Sequence, residues 1–230
     1  MKKIYLFIAI ICNIILLFGC SIKTNVNSYE YNNSNLVNNE NVNNNTVSDE
    51  EILSKYVDVS KLPIFDLDIN NKSQFDDRTI SIEDSIDNEL EYTVYQLYYN
   101  ETLGDYKKVM ELIGKDEGFK IAMQNKEKDF EDGIYMKEYV IHELSVLDKN
   151  DIKEISNYSK IEIKDKIDKL NLEQYAIVMA DLSFKYNEKS LSLSPQLGDG
   201  RYIRYYILGK TSESDNFKIY DVYWDTLWYY

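Results

Sequence analysis

From Ile4 to Phe18 the chain is almost continuously apolar, with Asn13 as the clear interruption and Lys2 and Lys3 in front. The run is too short to span a bilayer comfortably and carries the positive flank of a secretory leader, so residues 1–19 are expected to be an export signal. Residues 20–47 reverse the pattern. Asparagine dominates from Asn25 to Asn45, with no helical or strand period. Such a polar tract buries too little surface to offset its ordering entropy and is expected to be a disordered linker.

Beyond it, Ser48-Asp49-Glu50-Glu51 has the form of a capping box, followed by apolar Ile52, Leu53 and Tyr56. Pro63 to Ile69 alternates apolar and polar, as a half-buried strand would. The clearest helix is predicted from about Asp84 to Glu101, where Ile86, Leu90, Val94, Leu97 and Tyr98 form one stripe. Glu101 is expected at its exposed end. Gly104 suits a left-handed helix end. Asp105 can cap a second helix with Tyr106, Val109, Met110 and Ile113 on its apolar face. A third helix is predicted near Asp116–Phe130.

After Gly133 the period changes to two. Tyr135–Leu147, Gln174–Tyr186, Arg201–Gly209 and Phe217–Trp224 read as long strands rich in Tyr, Ile and Val. Residues 150–172 read as a charged connector, and Ser212–Asn216 as a hairpin turn. Helices followed by a run of strands predict an α+β domain, with long N-terminal helices packed on one face of an antiparallel sheet. Residues 48–83 are set apart as an N-terminal extension, and 84–230 as the domain proper.

The leader ends in Leu17-Phe18-Gly19-Cys20, which resembles the bacterial lipobox. That resemblance implies cleavage before Cys20, a lipid on its sulfur and attachment to the extracytoplasmic face of the cell membrane. The bilayer is then a partner through the Cys20 lipid, because two or more acyl chains give stable anchoring. Cys12 leaves with the leader. The mature domain therefore has no thiol for a disulfide or a nucleophile, and its stability must come from an ordinary core.

Charge narrows the partners. The chain carries a net −14. A surface of that sign repels phosphate backbones, which argues against nucleic acid. It keeps an exported domain soluble, and it leaves open an acidic binder that neutralises a cationic protein.

The segment Leu103-Gly104-Asp105-Tyr106-Lys107-Lys108-Val109-Met110-Glu111-Leu112-Ile113, preceded by a long amphipathic helix, is similar to the helix, Gly-Asp turn and second helix of the nuclear-transport-factor-2-like superfamily. The ending Asn216-Phe217-Lys218-Ile219-Tyr220-Asp221-Val222-Tyr223-Trp224-Asp225 is similar to that superfamily's terminal strand. The resemblance covers about residues 84–225. It implies a strongly curved antiparallel sheet wrapped around the long helix as an open-ended cone. The superfamily includes isomerases, dehydratases and binding domains without catalysis, so fold analogy supplies no activity.

His142 is the single histidine. Alternation places it on one strand face with Val140, Leu144 and Val146, expected to point into the cone, as a pocket-lining residue or as a catalytic base partnered by Asp181. Tyr95, Tyr99 and Tyr206 are candidate pocket residues, each an apolar body with a polar tip. Asp66, Asp68, Asn70 and Asp77 place oxygens where a calcium loop would. However, Asn71 stands where that loop needs Gly, and Asp77 where it needs the longer Glu. Phe65, Leu67 and Ile69 alternate with the acids, which a strand explains without metal. Gly-rich phosphate loops, His/Cys metal clusters and Gly-x-Ser-x-Gly elbows are absent from the sequence. No metal and no cofactor are expected. The leading expectation is a non-enzymatic domain that binds a small ligand or a protein. The main alternative is an isomerase- or dehydratase-like enzyme using His142.

Overall fold

A computed structural model describes residues 46–65, 69–212 and 216–224. The leader, Cys20, the Asn-rich tract up to residue 45, Asp66, Asp68 and most of the 212–216 turn lie outside these residues. Residues 44–230 form one compact unit. It has its own core, which is what independent folding requires. Residues 48–83 lie within this unit.

Ser48 caps helix α1 (Asp49–Leu53) through a complete capping box, its Oγ accepting from the Glu51 N–H while Glu51 accepts from the Ser48 N–H. Ile52 and Tyr56 are buried. The segment from Pro63 to Phe65 has no regular structure, and Ile64 is 90 % exposed. Alternation alone does not make a strand without a neighbour to pair with. The pairing falls to the next residues instead. Strands β1 (Lys72–Phe75) and β2 (Arg78–Ile82) form a hairpin turned at Asp76, whose φ is 54°.

Helix α2 (Glu89–Leu103) begins at Asn88, whose side chain accepts from the Leu90 and Glu91 N–H groups. It ends at Gly104 in the left-handed region, where the Gly104 and Asp105 N–H groups both reach the Asn100 carbonyl. Asp105 caps α3 (Tyr106–Leu112), and Asp116 caps α4 (Glu117–Glu131). The strands follow: β3 (Met136–Val146), β4 (Gln174–Tyr186), β5 (Gly200–Lys210) and β6 (Lys218–Trp224). The connector at 150–172 is helical, with α5 (Lys149–Glu154) and α6 (Asn157–Lys169). Its buried residues Ile163 and Ile167 are four apart, a helical spacing hidden among charges. A short α7 (Glu188–Ser192) follows β4.

The six strands lie in the order β1-β2-β3-β4-β5-β6 in one open sheet. It is mostly antiparallel, as expected, with one exception: β2 pairs with β3 in parallel. The α2–α4 segment lies between those two strands, and a crossover of that length is what parallel pairing needs.

Both faces of the sheet are covered, rather than one. On the inner face, Tyr98 of α2 packs edge-on against Tyr139 at 5.0 Å and Tyr206 at 6.1 Å. On the outer face, the buried Tyr175 ring meets Tyr56 at 4.9 Å, and its hydroxyl donates to the Ile52 carbonyl at 2.6 Å. Helix α1 packs there against α5 and α6. Lys166 of α6 pairs with Asp221 on β6.

Candidate functional site

The inner face bears an open cavity of about 1100 Å³. Helix α2 supplies Leu97 and Glu101, and α4 supplies Phe119, Ala122, Met123 and Lys126. The sheet supplies Met136, Tyr186, Tyr202, Arg204, Tyr206, Val222 and Trp224. Asp181 and Arg201 stand at a rim, where β5 runs past the last β6 partner, Trp224 opposite Arg204. Most of this wall is apolar, and the polar groups are few and convergent, which is the usual make-up of a small-molecule site.

The polar groups are tightly organised. Glu101 lies four residues after Leu97 and three after Tyr98, so the stripe carries it inward rather than to the surface. It is 6 % exposed, pairs with Lys126 at 2.6 Å and accepts from the Tyr139 hydroxyl at 3.0 Å. Burial, with Glu101 close by, pushes the Tyr139 phenol well above its ordinary pKa, and burial does the same to Tyr98. Both stay neutral at any physiological pH. The Tyr98 and Tyr206 hydroxyls are hydrogen-bonded to each other.

Arg204 sits beside them, stacked under the Trp224 ring at 4.1 Å and 5.4 Å from Phe184. Its Nη1 reaches the Tyr98 hydroxyl at 3.4 Å, and its buried Nε–H has no hydrogen-bond partner among the described residues. Alternation offered a signal for it. Arg204 shares a strand face with Tyr202, Tyr206 and Leu208, a cation in an otherwise apolar row.

Of the residues singled out from the sequence, Tyr206 lines the cavity. Tyr95 and Tyr99 point elsewhere. They belong to an aromatic ladder along α2, Phe65–Tyr92–Tyr95–Tyr99–Phe75, with successive centroids 5.7, 6.2, 5.8 and 5.4 Å apart. The ladder packs the helix onto the β1 edge, and burial pushes the Tyr95 phenol up to about 12.

His142 is also outside the cavity lining. The register slips between Ile141 and Glu143, a β-bulge at His142. One extra residue reverses the alternation, so Leu144 joins Tyr139 and Ile141 in the core while His142 turns to the outer face, away from Leu144. There Nδ1 meets Glu83 at 2.7 Å, and Nε2 meets the Ser183 hydroxyl at 2.8 Å. Asp181 does not partner His142. It holds Arg201 through two hydrogen bonds of 2.7 and 2.6 Å, and these lower its carboxyl pKa.

Comparison with known proteins finds no matching family model, curated protein or solved structure. The geometry alone therefore carries the functional argument.

Of the calcium-loop candidates, Asn70 and Asp77 are described, and both are exposed. The paired strand Lys72–Phe75 lies between them. Asp77 accepts from the Tyr135 hydroxyl at 2.9 Å. Among the described residues no group of three or more His, Cys, Asp or Glu is placed to hold a metal.

Proposed function

We propose that this chain is a lipid-anchored extracytoplasmic protein whose domain binds a small molecule in the cavity between α2, α4 and the inner sheet face. The carrying observation is the cavity itself: about 1100 Å³, mostly apolar, with Glu101, Lys126, Arg204 and Tyr206 converging on it. That volume lies just above the roughly 300–1,000 Å³ of ordinary ligand sites. The long helix laid against an open sheet also agrees with the cone of the nuclear-transport-factor-2-like superfamily, and the cavity would be its mouth. Anchoring rests on Lys2, Lys3, the short apolar run and Gly19-Cys20. Among the described residues, no helix is long and apolar enough to cross a membrane. Fatty-acid labelling that disappears in Cys20→Ala would support the anchor, and equal labelling would remove it.

The binding claim is tested with residues 44–230 and the neutral fluorophore N-phenylnaphthylamine. Saturable binding of one molecule is expected. Ala122→Trp puts a large ring at the cavity wall from an exposed position, and is expected to weaken binding at least about tenfold with the melting temperature unchanged. Unchanged affinity in this variant would place the fluorophore elsewhere.

The hydrogen-bonded chain Ser183–His142–Glu83 favours a second reading, acyl transfer on the outer face. With the proton on Nδ1 held by Glu83, Nε2 accepts the Ser183 proton as Oγ attacks an ester carbonyl. The leaving alcohol takes that proton from His142, and water releases the acyl group from Ser183. The geometry favours this less, because Ser183 lies mid-strand on a face outside the cavity. A fluorophosphonate probe separates the readings. Label on Ser183 that is lost in His142→Phe would establish the nucleophile, and an unlabelled Ser183 would eliminate it.

A further inference from the structure

We infer that the cavity takes an amphipathic organic monoanion, a carboxylate with an apolar body, whose head is bound by Arg204. This rests on the cavity being a ligand site and adds the ligand's charge and class.

Around the cavity Glu101 is paired with Lys126 and Asp181 with Arg201. Arg204 is left as a positive charge with no carboxylate partner among the described residues. It is only 7 % exposed. An arginine does not escape burial by losing its proton, so the cost of desolvating it stands until an anion arrives. Its surroundings offset only part of that cost. Trp224 and Phe184 give cation–π contact, and the neutral Tyr98 hydroxyl gives one long hydrogen bond. The Nε–H has no hydrogen-bond partner among the described residues. An unpaired positive charge inside a protein of net −14 is not explained by general surface charge.

The same geometry sets the ligand's form. One uncompensated charge matches one negative charge, which favours a carboxylate over a doubly charged phosphate ester. The apolar wall of Leu97, Phe119, Met123 and Val222 takes the body. Trp224 closes the guanidinium from solvent but is itself 41 % exposed, on the last described residue of β6. The head reaches Nε by displacing this ring, so binding should change tryptophan fluorescence.

The test is a ligand series with one chain length and three heads: decanoate, decanol and decylammonium, titrated into residues 44–230 by calorimetry and tryptophan fluorescence. Decanoate is expected to bind at least about tenfold more tightly than decanol, with decylammonium weakest. Arg204→Gln should bring decanoate down to the decanol level, and Arg204→Lys should keep most of the preference. Circular dichroism checks that both variants fold, and the wild-type series stands without them. Decanoate and decanol binding equally, with N-phenylnaphthylamine still bound, would overturn the anion inference and leave the cavity reading intact. Failure of the fluorophore and all three amphiphiles to bind would overturn both.

Discussion

Phe184→Ala is expected to cost about 3–5 kcal/mol of folding stability. Phe184 is fully buried on the inner face of β4. Its ring stacks on Tyr202 at 4.9 Å, meets Tyr186 edge-on at 5.6 Å and Tyr139 at 6.4 Å, and faces the Arg204 guanidinium. These neighbours belong to three different strands. They cannot all collapse into the space a lost ring leaves, so a cavity term adds to the lost transfer energy. Arg204 also loses one of its two aromatic contacts. For a domain of this size the loss corresponds to a fall in melting temperature of at least about 6 °C. Ser183→Ala, one residue away on the outer face, is the control and should cost less than about 1 kcal/mol. Equal effects at the two positions would mean that the faces of β4 are assigned the wrong way round.

Leu97→Ala is expected to cost about 2–5 kcal/mol, and Glu101→Ala about 1–3 kcal/mol. The sequence alone predicts a sharp contrast, with Glu101 harmless at an exposed helix end. The structure narrows it. Glu101 is buried and serves both Lys126 and the Tyr139 hydroxyl. Removing it leaves a buried phenol donor without an acceptor, and that desolvation penalty is the source of the cost. Lys126 is partly exposed and can turn to water, which keeps the figure below that of a fully buried ion pair. Denaturant unfolding of both variants measures the two values. A negligible effect at Glu101 would show that Tyr139 finds another partner. Glu101→Gln separates charge from hydrogen bonding, because its carbonyl oxygen still accepts from Tyr139.

These two sites show where sequence reading succeeds and where it stops. The helix stripe through Leu90, Val94, Leu97 and Tyr98 is a local pattern, and each of these residues is buried. Carrying the same stripe one more turn reaches Glu101. The residue's charge argued for the surface, while its position argued for the interior, and position won because Lys126 and Tyr139 are there to receive it. Likewise, 150–172 has helical spacing in Ile163 and Ile167, but the surrounding charges concealed it. The hairpin at 72–82 is short and polar on its outer edge, so its pattern is weaker than the strand signal at Pro63–Ile69, whose described residues 63–65 and 69 have no regular structure.

His142 illustrates a different limit. Its face follows from counting by twos along β3, and the count fails at a bulge. A bulge is a mismatch between two strands, so neither strand's own sequence displays it. The result moves the histidine from the expected cone interior to the outer face, and it exchanges the expected partner Asp181 for Glu83 and Ser183.

The sequence by itself determined the α+β class, the three successive helices, the Asp105 cap of the second, the left-handed stop at Gly104, and strands β3 to β6 within a residue or two of their ends, while the Asn88 cap that starts the first helix at Glu89, five residues past the expected Asp84, came from the structure. These features depend on neighbours a few residues away, where periodicity and capping chemistry act. Only the tertiary structure decided the parallel β2–β3 pairing, the second helical layer, the bulge at His142, and the cavity in which Arg204 stands without a counter-ion among the described residues. Each of those depends on groups distant in the chain meeting in space. A charge is compensated or left bare by whatever folds against it, which no local pattern records.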